Sequence, residues 1–381
     1  MKKSRITAIL LIIALILSYN ATVVCAEFES DPGIPSEYLC DLATGTTIFE
    51  KDADTPRHLA SVTKIMTMLL VLEACDRGDI TLDDTVTVSA YSSNMGGSQV
   101  YLKEGEQFPV RELLKCVAVV SANDACVALA EYVCGSEETF VARMNERAAQ
   151  LGMTNTHFEN TNGLDDTATE HYSSARDIAI MSRELMKHPE IFEYTTIWTD
   201  TFRGGQFGLT NTNKLIRFYR GANGLKTGST SKAGFCISAT ALRDGTQLIA
   251  VIMGAPTGDA RNAEAKHLLD YGFAGYANVH YDGDTLTGFP VKRGKNESCT
   301  LVYDGFDALC EKGSKDKIEI SVTLPEYVKA PMKAGSEVGK ITYSIDGNTI
   351  GESTIKVKED VAEVSFGSLF EKLTGKFLAV K

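Results

Sequence analysis

The spacing of apolar positions changes period several times along this chain. Residues 6–17 are a mostly apolar run behind a basic start at Lys2, Lys3 and Arg5. Two short stretches, Tyr38-Leu39-Cys40-Asp41 and Thr46-Thr47-Ile48-Phe49, flank Gly45 and predict a strand pair. From residue 61 to 75 the period lengthens, and Ile65, Leu69 and Leu72 share one side of a predicted helix. A second helical region covers 113–130, interrupted around Ser121-Ala122-Asn123, and a third covers 175–187, after polar Gly- and Asn-containing segments at 154–170. Strong strand signals at 234–242 and 247–254 are joined by Arg243-Asp244-Gly245, which suits a hairpin turn, and a last helix spans 260–271. Strands at both ends of a helical middle predict an α+β domain with an antiparallel sheet covered by helices.

The pattern shifts near 276–283. Beyond it, 318–324, 340–345 and 349–358 alternate with a two-residue period, with Gly335 and Asp346-Gly347 as turn signals, so a small β domain follows. The tail differs again. Ser368 and Glu371 fit a capping box, and Leu369, Phe370, Leu373 and Phe377 fall on one helical face flanked by Lys372 and Lys376. So short a helix is marginal alone in water, and a membrane surface is the expected partner of its aromatic face.

The amino-terminal run of about a dozen residues is too short for a membrane span of roughly 20. With Val24-Cys25-Ala26 it has the layout of a secretory signal cleaved after Ala26. Removing 1–26 takes away three basic residues and no acidic one, so the formal charge moves from −12 to −15. An acidic chain without basic clusters is a poor candidate for nucleic-acid binding. About 355 mature residues exceed the usual size of a single core, so two domains are expected. The boundaries expected are 27–277 for the first, 278–362 for the β domain and 363–381 for the amphipathic tail. Eight cysteines would remain, with no C-x-x-C, and several sit in apolar patterns, so buried thiols are expected. The six histidines form no close ligand pair, so the sequence calls for no metal and no cofactor.

Three short motifs carry chemistry. Ser61-Val62-Thr63-Lys64, Ser121-Ala122-Asn123 and Lys226-Thr227-Gly228 occur in the order S-x-x-K, S-x-N, K-T-G. S-x-x-K also occurs at Ser229/Lys232, Ser314/Lys317 and Ser353/Lys356, and S-x-N at Ser18/Asn20 and Ser92/Asn94, whereas K-T-G occurs once. Taken singly, each reads as a helix cap, a turn or a loop. Their order and spacing select Ser61. A serine hydroxyl is a weak nucleophile and needs an adjacent base, and Lys64 stands one helical turn on. Lysine serves once desolvation or a neighbouring cation lowers its pKa, and Lys226 is the candidate cation. Lys226 and the Thr227 hydroxyl are also candidate contacts for a substrate carboxylate. Ser121 is placed to relay a proton to the leaving amine, and the Asn123 amide to orient Lys64 and bind a peptide group. Gly228 is expected to admit a substrate backbone close to the strand. The backbone N–H groups of Ser61 and Ser229 are the candidate oxyanion pair.

With Leu59-Ala60 before the first motif, Asp124-Ala125-Cys126 after the second, Tyr172-Ser173-Ser174-Ala175-Arg176-Asp177, and Lys232-Ala233-Gly234-Phe235 after the third, the chain resembles serine-type D-alanyl-D-alanine carboxypeptidases. These are low-molecular-mass penicillin-binding proteins. The resemblance covers about residues 35–275, and more loosely the β domain and tail. It implies a penicilloyl-serine transferase/β-lactamase-like catalytic domain and Ser61 as the acylated residue. It also implies Lys64 as proton acceptor, Ser121 and Asn123 as second element, and Lys226 as carboxylate contact. The implied substrate is the D-Ala-D-Ala end of peptidoglycan pentapeptides at the outer face of the cytoplasmic membrane, with β-lactams as covalent inhibitors. Cys126, one turn beyond Asn123, is expected to pack, and a bulky thiol reagent there to impair acylation.

Other readings stay open at this level. A class A β-lactamase has Asp where Ala122 stands and a loop glutamate in an E-x-x-L-N context, which neither Glu170 nor Glu184 provides. A D,D-endopeptidase or transpeptidase shares the acyl-enzyme. A penicillin-binding sensor or scaffold would keep the fold without turnover.

Overall fold

The computed structural model describes residues 28–165, 168–367 and 370. The expected signal segment and most of the amphipathic tail lie outside the described residues. Five strands form an antiparallel sheet: β1 (Ser36–Asp41), β2 (Thr47–Lys51), β3 (Ala222–Thr230), β4 (Gly234–Arg243) and β5 (Thr246–Ala255), in the order β2-β1-β5-β4-β3. The β4–β5 turn takes positive φ at Asp244 and Gly245, the conformation that favours Asp-Gly in a two-residue hairpin.

Side-chain alternation gives this sheet two buried faces. Tyr38, Cys40, Ile249, Val251 and Met253 point into the main helical core. Leu39 and Leu248 point the other way, against helix α6 (Gly258–Gly275), where a Cβ at Gly272 would lie 2.6 Å from Leu248 and 3.0 Å from Leu39. On the first face pack α1 (Lys64–Asp76), α2 (Val110–Val120), α3 (Asn123–Cys134), α4 (Glu137–Gln150) and α5 (Ala175–Leu185). Helix α1 is buried at every position from Lys64 to Leu72. A single apolar side, as Ile65, Leu69 and Leu72 predicted, is therefore too little: the helix is enclosed all round, which brings a lysine into the core. Helix α4 has no counterpart in the sequence reading, because only Phe140, Met144 and Ala148 of its length are buried.

The second domain is all β. Strands β7 (Asp284–Lys292), β8 (Ser298–Tyr303), β10 (Ile318–Thr323), β11 (Val328–Lys329), β12 (Glu337–Ile345) and β13 (Asn348–Val357) form a sheet in the order β10-β12-β13-β8-β7-β11. Beside it β6 (Tyr276–Tyr281) pairs with β9 (Phe306–Glu311). The expected strands near 318, 340 and 349 are present, and Asp346 and Gly347 take the positive φ of their turn. The core is small, around Leu301, Ile341, Tyr343, Ile355 and Val357, with Phe306 stacked on Tyr343 at 4.2 Å. The eight cysteines from Cys40 to Cys310 are unpaired thiols. No helix among the described residues is long and apolar enough to cross a membrane.

Candidate active site

Ser61 lies in a single 3₁₀ turn, Ala60–Thr63, that leads directly into α1. Ala60 takes φ +48°, a left-handed conformation costly for a residue with a Cβ, so the turn is held by its surroundings. Lys64, fully buried, donates from Nζ to Ser61 Oγ at 2.9 Å and to the Asn162 carbonyl at 2.6 Å. Burial in this dry setting lowers its pKa to about 8, against weak opposing pulls from Cys126 and Asp124.

The second motif breaks one helical path into two. Ser121 ends α2 in the left-handed conformation, and Asn123 opens α3. Ser121 Oγ is buried and has no hydrogen-bond partner among the described residues. Asn123 donates from its backbone N–H to Ser98 O and from Nδ2 to Gly96 O, both at 2.7 Å. Asp124 accepts from the N–H groups of Val100 and Leu102 and fixes the same rim. Asn123 makes no hydrogen bond to Lys64. The expected role of orienting the lysine falls instead to the carbonyl of Asn162, in the loop between α4 and α5, and a backbone carbonyl leaves no side-chain signature to read.

The third motif occupies the edge strand β3. Lys226 is buried and donates to the carbonyl of Thr227 at 2.8 Å. Burial, and then the neighbouring Lys64, push its pKa well below the ordinary lysine value. The depression of Lys64 is led by burial rather than by Lys226, which differs from the expectation that Lys226 acts as the cation lowering it. Thr227 bonds through Oγ1 to Thr212 Oγ1 at 2.8 Å. The lack of a side chain at Gly228 also serves a contact within the fold. A Cβ there would come 2.8 Å from Leu59 O and Ser61 N, so the turn that carries Ser61 occupies that space. Ser229 follows, exposed at the cleft.

Together Ser61, Ser121, Thr227, Gly228 and Ser229 line one cleft of about 270 Å³, with Ser98 and Thr212 on its rim. Arg261 also lines it and was not singled out from the sequence. Its guanidinium is nearly buried and bonds only to Asn262 Oδ1 and the Cys236 carbonyl, so it faces the cleft without a carboxylate partner among the described residues. An arginine in the first turn of a helix opposes the helix dipole. That misplacement was the available signal. Lys232 pins the α4–α5 loop by donating to the Asp165 carbonyl at 2.6 Å.

A buried amine 2.9 Å from a serine hydroxyl, a free second serine, and an edge strand beside them in a sheet-and-helix fold define a serine acyl-transfer enzyme of the penicillin-binding type. Comparison with known proteins carries the assignment further. A family model described as D-alanyl-D-alanine carboxypeptidase matches residues 29–257, and one described as the C-terminal domain of penicillin-binding protein 5 matches 276–363. The chain belongs to the D-alanyl-D-alanine carboxypeptidase family. It is 38% identical to the D-alanyl-D-alanine carboxypeptidase DacF of Bacillus subtilis over 353 residues, which are 91% of this chain and 90% of that protein. It is 34% identical to DacC of Escherichia coli, over 89% of this chain and 87% of the relative. Among solved structures, penicillin-binding protein 5 of Haemophilus influenzae is similar with a TM-score of 0.77 and 31% identity, covering 88% of this chain and 99% of that one. Penicillin-binding protein D2 of Listeria monocytogenes, in its ampicillin-bound form, is similar over 63% of this chain and 98% of its own, with a TM-score of 0.58 and 31% identity.

Proposed function

We propose that this serine peptidase removes the terminal D-alanine from peptidoglycan pentapeptide stems through an acyl-enzyme on Ser61. The observation that carries the reading is the contact of Lys64 Nζ, itself fully buried, with Ser61 Oγ at 2.9 Å at the floor of the cleft. In its neutral form Lys64 accepts the Ser61 proton while still donating to Asn162 O. Ser61 Oγ then bonds to the carbonyl carbon of the penultimate D-alanine, with the N–H groups of Ser61 and Ser229 facing the oxyanion. The C–N bond breaks as Ser121 Oγ, which has no competing partner among the described residues, gives its proton to the leaving amine. Ser121 Oγ takes from Lys64 the proton that came from Ser61, leaving Lys64 neutral. Water attacks the ester in the second half, Lys64 again takes the proton, and the acyl C–Oγ bond breaks as that proton returns to Ser61 Oγ. Asn123, held rigidly by Ser98 and Gly96, keeps an unpartnered, buried Oδ1 for the substrate's peptide N–H.

Thr227 and Arg261 are the groups suited to grip the terminal carboxylate, with Lys226 as a field beneath them. An incoming carboxylate would offset the desolvation that now disfavours the Lys226 charge. The ampicillin-bound form of the Listeria relative supports binding of β-lactams, which we propose acylate Ser61 here. We assign the catalytic domain to 27–277, the β domain to 278–362, export to 1–26, and membrane association at the outer face to 363–381. Phe366 and Phe370, 86% and 61% exposed, support that last assignment. Flotation of the full-length protein with anionic vesicles, lost on deleting 363–381, tests it.

Release of D-alanine from a D-Ala-D-Ala peptide, absent in Ser61→Ala, tests the main reading. Muropeptide mass spectrometry separates it from endopeptidase and transpeptidase action. β-Lactamase turnover is not favoured, since Glu170 is exposed and Glu184 is engaged by Arg147 and Lys187. The loop gives the site a carbonyl where that mechanism needs a carboxylate.

A further inference from the structure

The Ser61 turn and its base are both gripped by one loop, and the grip runs through two residues the mechanism does not use. Thr63 is fully buried. Its hydroxyl donates to the carbonyl of Ala60 at 2.7 Å and meets His171 Nε2 at 2.7 Å. His171 Nδ1 accepts from the backbone N–H of Glu159 at 3.0 Å, so the proton of the neutral ring sits on Nε2 and is donated to Thr63. Every polar atom of the chain Glu159 N–H, His171, Thr63, Ala60 carbonyl therefore has one assigned role. The same loop presses Gly163 against the turn, where a Cβ would fall 1.9 Å from Ala60 O and 2.8 Å from Thr63 Oγ1. One residue earlier, its Asn162 carbonyl holds Lys64. His58 closes the other side by donating from Nδ1 to the His171 carbonyl at 3.1 Å, and the Phe158 ring packs edge-on to the imidazole.

We infer that His171 is a positioning residue which, through Thr63, fixes the Ala60 carbonyl and so aims the Ser61 hydroxyl at Lys64. It touches no substrate atom. It couples the strained turn that carries the nucleophile to the loop that carries the base's carbonyl partner. The inference rests on Ser61 being the acylated residue. A neutral ring is what the site requires, since a proton on Nδ1 would face the Glu159 N–H donor to donor. Burial keeps the ring neutral, lowering its pKa to about 4. The carboxylates of Glu159 and Asp165 pull the other way, and the imidazoles of His157 and His58 add to the effect of burial.

The test compares full-length wild type with Thr63→Val, Thr63→Ser and His171→Phe, using the second-order rate constant for acylation by a fluorescent penicillin and thermal melting on the same samples. A misdirected hydroxyl is expected to cost Thr63→Val and His171→Phe about tenfold or more in acylation while they remain folded at the assay temperature. Thr63→Ser, which keeps the bridging hydroxyl, is expected to recover to within about threefold of wild type. The doubly substituted protein should lose no more than the worse single variant, because both break one bridge. A loosened loop also admits water around Lys64, which favours its charged form, so the pH of half-maximal acylation should rise in His171→Phe. Folded Thr63→Val acylating at the wild-type rate, or multiplying losses in the double variant, would overturn the inference. Failure of wild type itself to be acylated would instead sink the Ser61 reading on which it rests.

Discussion

Lys64 is an amine enclosed by protein whose Nζ meets two oxygens, and in the mechanism we propose its protonation state sets the rate of acylation. A pKa lowered from 10.5 to about 8 favours the neutral amine by roughly 3 kcal/mol relative to an exposed lysine. The sign follows directly. Below pH 8 most of the base is protonated, so acylation should climb by up to about tenfold per pH unit from 6 toward 8 and level off above. A flat profile of penicillin acylation between pH 6 and 9 would contradict this. Cys126 gives a second residue-scale prediction. It is fully buried, bonds to the Thr161 carbonyl, and its thiol is pushed up to about 11 by burial. A bulky maleimide should therefore label it many times more slowly in native than in unfolded protein, as read by mass spectrometry. The expected loss of acylation on thiol modification then applies only to molecules that have opened.

At the scale of elements, the edge strand β3 touches the 3₁₀ turn before α1, and the proposed chemistry depends on that contact. Gly228 is the contact, with Leu59 O and Ser61 N both 2.8 Å from where a Cβ would be. Backbone atoms on both sides cannot rotate away. Gly228→Ala should therefore cost about 1–3 kcal/mol in stability and displace Ser61, so acylation should fall even in the folded fraction. Denaturant melts and acylation rates on one preparation check both. Arg261→Ala tests the carboxylate grip assigned above. It should raise KM for a D-Ala-D-Ala peptide far more than it slows penicillin-independent folding or lowers Tm, since its guanidinium leaves behind only Asn262 and one carbonyl.

Among the described residues the catalytic domain and the β domain have separate core clusters, and every group assigned to chemistry lies in the first domain. The β domain's core is built around Tyr343, stacked on Phe306 and tilted against Tyr281 at 5.1 Å. Tyr343→Ala should destabilise that domain by about 3–5 kcal/mol. Acylation at 25 °C should stay unchanged, because no strand of that sheet lines the cleft. Reduced acylation in the folded variant would show that the two cores are coupled.

Local sequence determined what local physics can decide. The order and spacing of three motifs picked Ser61 out of four S-x-x-K serines. Two-residue alternation marked the hairpins whose Asp-Gly turns take positive φ, and the change of period near 276 marked the second domain. Tertiary structure decided the rest, for three physical reasons. Burial all round α1, which its apolar spacing understated, is what lowers the pKa of Lys64. The partners that hold the lysine and the turn are backbone carbonyls of Asn162 and Ala60, which any residue type can supply and no motif records. And the groups that complete the cleft, Arg261 beyond β5 and His171 behind the turn, come from segments that only folding brings within reach of Ser61.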